Sequence, residues 1–210
     1  KLIGVTRYGG ANNLGALYEF DYTSNTISVL HEFTVFSPYN SITEASDGIY
    51  YGLNQQSGAN SEGVIYSYNP VTSSYVELYA FDDGIGTGKY PVGQLLEATN
   101  GKLYGLTSGG GSFLFYGVLY EYDIALNQYN VLHNFDNTQG GYPGSSLLQI
   151  TNGKLVGTTP QGGTFDKGVV FEYDFTNGFN VLQNLGWKHF GELIEIEPNK
   201  VWGTLRDTYA

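Results

Sequence analysis

Three groups of side chains in this sequence could carry chemistry: three histidines, a recurring set of carboxylates, and a surplus of aromatic rings. His31 and His133 lie in the similar stretches VLHEF and VLHNF, where two further copies have Tyr79 and Gln183. A general acid or base acts at one place, so a histidine written twice in one register points to a structural position. His189, in GWKHFGE, is different. It replaces the proline found at Pro38, Pro91 and Pro143. With Lys188 and Glu192 it forms the one unrepeated constellation an enzyme could use. Glu44, Glu97, Gln149 and Glu195 share another register. Carboxylates gathered round an axis can hold a cation through oxygen ligands, but a polar channel lining is the simpler reading. No Asp-x-Asp-x-Asp-Gly spacing of a calcium loop occurs, so no metal is expected.

Other chemistries find less support. There is no cysteine, hence no disulfide, thiolate nucleophile or zinc–thiolate site. No Gly-x-Ser-x-Gly elbow is present. Glycine-rich stretches such as SGGGSF lack the Gly-Lys-Ser/Thr ending of a phosphate loop, and no helical pattern follows them. No cofactor is expected. A glycosidase needs two carboxylates roughly 5–10 Å apart, and none of the twenty acidic residues stands out as such a pair.

Charge narrows the partners. Nine basic against twenty acidic residues give a net charge of −11 over 210 residues. Nucleic-acid binding draws on phosphate neutralisation by Lys and Arg, which this chain cannot supply. An anionic membrane surface is disfavoured for the same reason, and no apolar run of about 18 residues could span a bilayer.

The elements that position these residues are set by a repeat. Gly4, Gly52, Gly105, Gly157 and Gly203 stand 48, 53, 52 and 46 residues apart. A second glycine (Gly15, Gly63, Gly117, Gly168) follows its anchor by 11, 11, 12 and 11 residues. A period near 50 is that of a propeller blade. Each unit holds four runs rich in Val, Ile, Leu, Tyr and Phe without helical periodicity. In the third unit they are QLLEAT, KLYGLT, GVLYEYD and QYNVLHNF. Asn-Gly between the first two predicts a two-residue type I′ hairpin. The expected fold is all-β: a β-propeller segment of four to five four-stranded antiparallel blades, strands A to D from the axis outward. The units span approximately 1–40, 41–92, 93–144 and 145–190, with a partial blade at 191–210. The sequence opens on strand B and stops after a second strand B, which predicts flanking blades from a longer parent chain. Tyr104, Leu119, Leu132 and Leu147 are expected between blades.

The unit resembles the bacterial GloVer tandem repeat. Its pattern, Gly-x-Leu-Tyr-Gly-Thr-Thr followed by Gly-Gly and Gly-Thr-Val-Phe, is met by Gly101–Thr107 except at Leu106. Gly153–Thr159 meets it except at Val156, and Gly162-Gly163 and Gly168-Val169-Val170-Phe171 continue it. The resemblance implies a β-propeller, usually in secreted or surface proteins of bacteria, and implies no activity.

The strands reverse at every turn, so B–C and D–A loops must share one face of the propeller. These loops vary between units while the scaffold is copied, and specificity usually sits on such variable loops. Tyr39, Tyr90, Phe115, Tyr116, Tyr142, Trp187 and His189 are the candidate ligand-binding residues there. Flat rings beside amide groups suit a glycan or a protein partner. The leading expectation is a non-catalytic recognition or adhesion module, extracellular or on a bacterial cell surface. The alternatives are a propeller-scaffold polysaccharide hydrolase or lyase, and a structural spacer.

Overall fold

The computed structural model describes residues 1–35, 42–82, 84–113, 115–189 and 191–206. Tyr39 lies outside them. Among the described residues there is no helix, and every strand pair is antiparallel. The first unit is a three-stranded sheet of β1 (Leu2–Thr6), β2 (Ala16–Asp21) and β3 (Thr26–Glu32). The second is a four-stranded sheet of β4 (Ile42–Glu44), β5 (Tyr50–Asn54), β6 (Val64–Asn69) and β7 (Ser74–Ala80). The third contains β8 (Gly88–Glu97), β9 (Leu103–Gly110), β10 (Val118–Asp123) and β11 (Gln128–Asn134). The fourth contains β12 (Leu148–Gln149), β13 (Leu155–Thr158), β14 (Val169–Asp174) and β15 (Gly178–Asn184). Last come β16 (Lys188–His189), β17 (Ile194–Glu197), β18 (Lys200–Trp202) and β19 (Leu205–Arg206), paired β16 with β19 and β17 with β18. In the first four units the strands neighbour one another in chain order, as in propeller blades.

The anchor glycines have a steric cause. Each faces an aromatic residue of the neighbouring strand C: Gly4 opposite Tyr18, Gly52 opposite Tyr66, Gly105 opposite Tyr120, Gly157 opposite Phe171. A Cβ on any of the four would come within 3.0 Å of that ring. The ring lies flat over the strand, and only a residue without a side chain leaves room for it.

Rings also join one blade to the next. His31 stacks on Tyr75 at 4.0 Å, Tyr79 on Tyr129 at 4.0 Å, and His133 on Phe179 at 3.5 Å, all nearly parallel. Beneath each stack a buried phenylalanine, Phe33, Phe81 or Phe135, meets the next blade's strand-C ring edge-on at 5.5–5.7 Å. The two repeated histidines are therefore junction rings. Burial lowers both of their pKa values, that of His133 to about 4, so both are neutral at pH 7. Three buried clusters, one per junction, make up the core.

Three expectations change in detail. The A–B turn is not type I′, which needs positive φ at both central residues. Gly101 donates to the Ala98 carbonyl and has φ 76°, while Asn100 is not left-handed, so this is a three-residue loop closed by a glycine bulge. Asn100 holds it by accepting the Lys102 N–H at 3.2 Å. Strand A of the third unit starts at Gly88, not Gln94, because the chain passes through an irregularity between Val92 and Leu96 and keeps pairing with β9. Leu132 is half-buried, whereas Tyr104, Leu119 and Leu147 are buried. The pairing shifts from Leu119–His133 to Tyr120–Val131, which leaves Leu132 as the unpaired residue of a bulge on the outer strand.

An aromatic cleft on the loop face

The start of strand A in the third unit and the D–A connection leading into the fourth cross the B–C loops and bind them. Tyr90 N–H donates to the Glu62 carbonyl at 2.8 Å, and Tyr142 N–H to the Tyr116 carbonyl at 2.9 Å. Glu62 and Tyr116 each precede the second glycine of their unit, so the two loop classes share one face. Both tyrosines are followed by proline, and both are left-handed, with φ 57° and 55°. A bulky residue at positive φ is strained, and such strain persists only where neighbours over-determine it, often at binding sites. Here the repeated N–H···O bond does so.

Between these tyrosines opens a cleft of about 410 Å³ lined by Lys89, Tyr90, Ser108, Gly109, Phe115 and Tyr142. Phe115 is 62% exposed and Tyr90 37%. Tyr116 backs the cleft, edge-on to Tyr142 at 5.5 Å. Ser108 Oγ donates to the Tyr90 carbonyl at 3.2 Å. Lys89 Nζ lies 5.4 Å from the Tyr90 ring centre and 3.6 Å from the Glu62 carboxylate. A side chain at Gly109 would touch both Lys89 and the Tyr90 ring at 3.3 Å, so this glycine keeps the floor clear. The unit that supplies Phe115 and Tyr116 is the one whose two glycines, Gly105 and Gly117, are 12 rather than 11 residues apart. The cleft sits where the repeat departs from itself.

The strand-A column is placed differently. Glu97 accepts the Ser46 N–H at 2.8 Å and its hydroxyl at 2.6 Å. Gln149 accepts the Thr99 N–H at 2.9 Å, and Glu195 the Thr151 N–H at 3.0 Å. Each side chain thus caps the A–B turn of the preceding blade. The Thr151 N–H first, then that of Asn199, hold the Glu195 carboxyl below the usual range. Glu44 faces Tyr50, whose phenol is raised chiefly by burial and then by Glu44. Glu44 and Glu97 also edge an opening of about 290 Å³ between neighbouring A strands. No cluster of three metal-ligating side chains occurs among the described residues.

The Gloeobacter/Verrucomicrobia repeat matches residues 1–207. The chain belongs to this repeat family. No curated protein matches the sequence. Among solved structures, the repeat chain resembles the extracellular domain of BT3049 from B. thetaiotaomicron, with 15% identity and a TM-score of 0.63. That match covers 96% of the repeat chain and 23% of the other. It also resembles TolB from Acinetobacter baumannii, with 16% identity and a TM-score of 0.56 over 84% of the repeat chain and 40% of TolB. The chain spans well under half the length of either. At these identities the likeness concerns the fold alone, a β-propeller.

Of the candidate ligand-binding residues of the repeat chain, Tyr90, Tyr142 and Phe115 line one cleft, and Tyr116 supports it. Trp187 is 56% exposed but does not line it. His189 pairs through its backbone with Leu205, as Pro91 faces Thr107 in the third unit. Sequence reasoning passed over Lys89, Ser108 and Gly109. Lys89 before Tyr-Pro, where the next unit has Gly141 before the same Tyr-Pro pair, was the available signal.

Proposed function

We propose that this chain is a non-catalytic recognition module, a propeller segment of a secreted or cell-surface bacterial protein that binds a glycan or a protein through its loop face. One observation carries the reading: the cleft gathers the exposed rings of Phe115 and Tyr90 with Tyr142, where two hydrogen-bonded left-handed tyrosines meet the lengthened B–C loop of the third unit. Binding pockets are concave and mainly apolar, with a few fixed polar groups. The bacterial repeat family and the extracellular domain among the fold neighbours support the location. Further blades of the parent chain fit the end units. Trp202 is 61% exposed in the register where Tyr51, Tyr104 and Val156 are buried between blades.

The enzyme reading would use Glu192, but that carboxylate accepts the Ser146 N–H at 3.2 Å, as the column residues accept turn N–H groups. The test is a glycan array and a surface-protein pull-down, wild type against a Tyr90→Ala, Phe115→Ala, Tyr142→Ala triple variant. The reading expects ligand retained by the wild type and lost by the variant. Equal retention by both would remove the cleft from the function. Polysaccharide hydrolysis abolished by Glu192→Gln would favour the enzyme instead.

A further inference from the structure

Resting on that recognition reading, we infer that the cleft takes a neutral hexopyranose unit of a polysaccharide, stacked by its C–H face between Phe115 and the Tyr90–Tyr142 pair. The size is right: about 410 Å³ lies at the lower end of the range for small-molecule sites, and is suited to one or two sugar residues. The chemistry is that of a sugar, which has an apolar C–H face and a hydroxyl rim. The rings supply the first partner. Ser108, Tyr90 and Tyr142, which line the cleft, carry hydroxyl groups that can meet the second.

The other small ligands that favour aromatic clefts fit less well. A quaternary ammonium needs rings with no competing cation beside them. Here Lys89 Nζ already lies over the Tyr90 ring at 5.4 Å. An acidic sugar needs a free positive charge. The Lys89 ammonium is spent on Glu62 at 3.6 Å, and the chain carries a net charge of −11. A protein partner buries at least ~1,200 Å² in a stable contact, far more than one cleft of this size supplies. The structure therefore assigns an uncharged ligand read by stacking.

The test uses saturation-transfer NMR and calorimetry with neutral tetrasaccharides (β-1,4-glucan, β-1,4-galactan, β-1,4-mannan), an oligogalacturonate and choline. At least one neutral tetrasaccharide should bind and transfer saturation to aromatic protons. Phe115→Ala should weaken that binding roughly two- to twelve-fold, the usual worth of one ring contact, and Phe115→Tyr should restore it. Phe115 is largely exposed, so these variants keep the fold. Tyr22→Ala, an exposed ring in a C–D turn, should bind as the wild type does. Binding of only the oligogalacturonate or choline, or of a protein, through a Phe115-dependent contact would overturn the ligand class and leave the recognition reading standing. No Phe115-dependent binding to any probe, nor to any partner in the pull-down, would overturn both.

Discussion

Replacing Gly105 by alanine tests why the repeat keeps its anchor. The added Cβ would fall within 3.0 Å of the Tyr120 ring, where ordinary contacts are no closer than 3.4 Å. The ring cannot swing away. Tyr120 is fully buried, with Phe81 and Tyr129 against it at 5.5 and 5.2 Å between ring centres. Forcing a carbon into such packing costs about 1–3 kcal/mol. Gly144→Ala is the control. It faces open space at an ordinary φ, so it should be neutral or stabilise by up to about 1 kcal/mol. The decisive measurement is a double-mutant cycle by urea denaturation, with Tyr120→Leu as the second change. A leucine is shorter and relieves the clash. The pair should then be less destabilised than the sum of the single variants by about 0.5–3 kcal/mol. Additivity within about 0.5 kcal/mol would show that glycine is kept at the anchor for some other reason than the ring above it.

Phe135→Ala should destabilise by about 3–5 kcal/mol in the same assay, because a fully buried ring is removed from a blade junction. The His133 pKa is about 4 in the folded chain against 6.5 ordinarily, so on acidification the unfolded chain takes up the proton first. The stability present above pH 6.5 is therefore lost as the pH falls from about 6.5 to 4, despite the nearby Asp136. His133→Gln, the residue the repeat itself uses at Gln183, should flatten that slope in pH-dependent melting curves. Glu97→Ala should cost about 1–2 kcal/mol by freeing two hydrogen bonds at the Ser46 turn, while Glu97→Gln should cost less, because Gln149 caps the next turn. Equal losses in the two Glu97 variants would mean that the carboxylate charge, and not the hydrogen bond, holds the blades.

The blades were legible from glycine spacing because each anchor answers a local demand. The strand-C ring that needs Gly105 lies only fifteen residues on, at Tyr120. The start of strand A was not legible. Gly88, Lys89, Tyr90 and Pro91 have the composition of a loop, and their pairing with β9 depends on a left-handed tyrosine that no propensity favours. The turn was misjudged for a related reason. Asn-Gly suits two loop types, and the choice falls to the hydrogen bond from the Lys102 N–H to Asn100. The histidine register was visible as repetition, but its stacking partners, Tyr75 and Phe179, lie a whole unit downstream. At the cleft, the rings were visible as types. Their convergence was not, since it joins two D–A crossings and one lengthened loop, and the crossings come from different units.

The caps at the blade junctions all point the same way along the chain: the strand-A side chain of one unit always holds the turn of the unit before it. A gene segment of one period, cut at any point, therefore encodes both the group that reaches back and the turn that will be reached. A tandem duplication inserts a blade whose two new seams are already complementary, and a deletion of one period heals in the same manner. Blade number can then change by copying errors alone, without any new contact having to be found. The aromatic cleft follows the opposite rule. It is built from a loop that breaks the period, so duplication elsewhere leaves it single, and the array can lengthen around it.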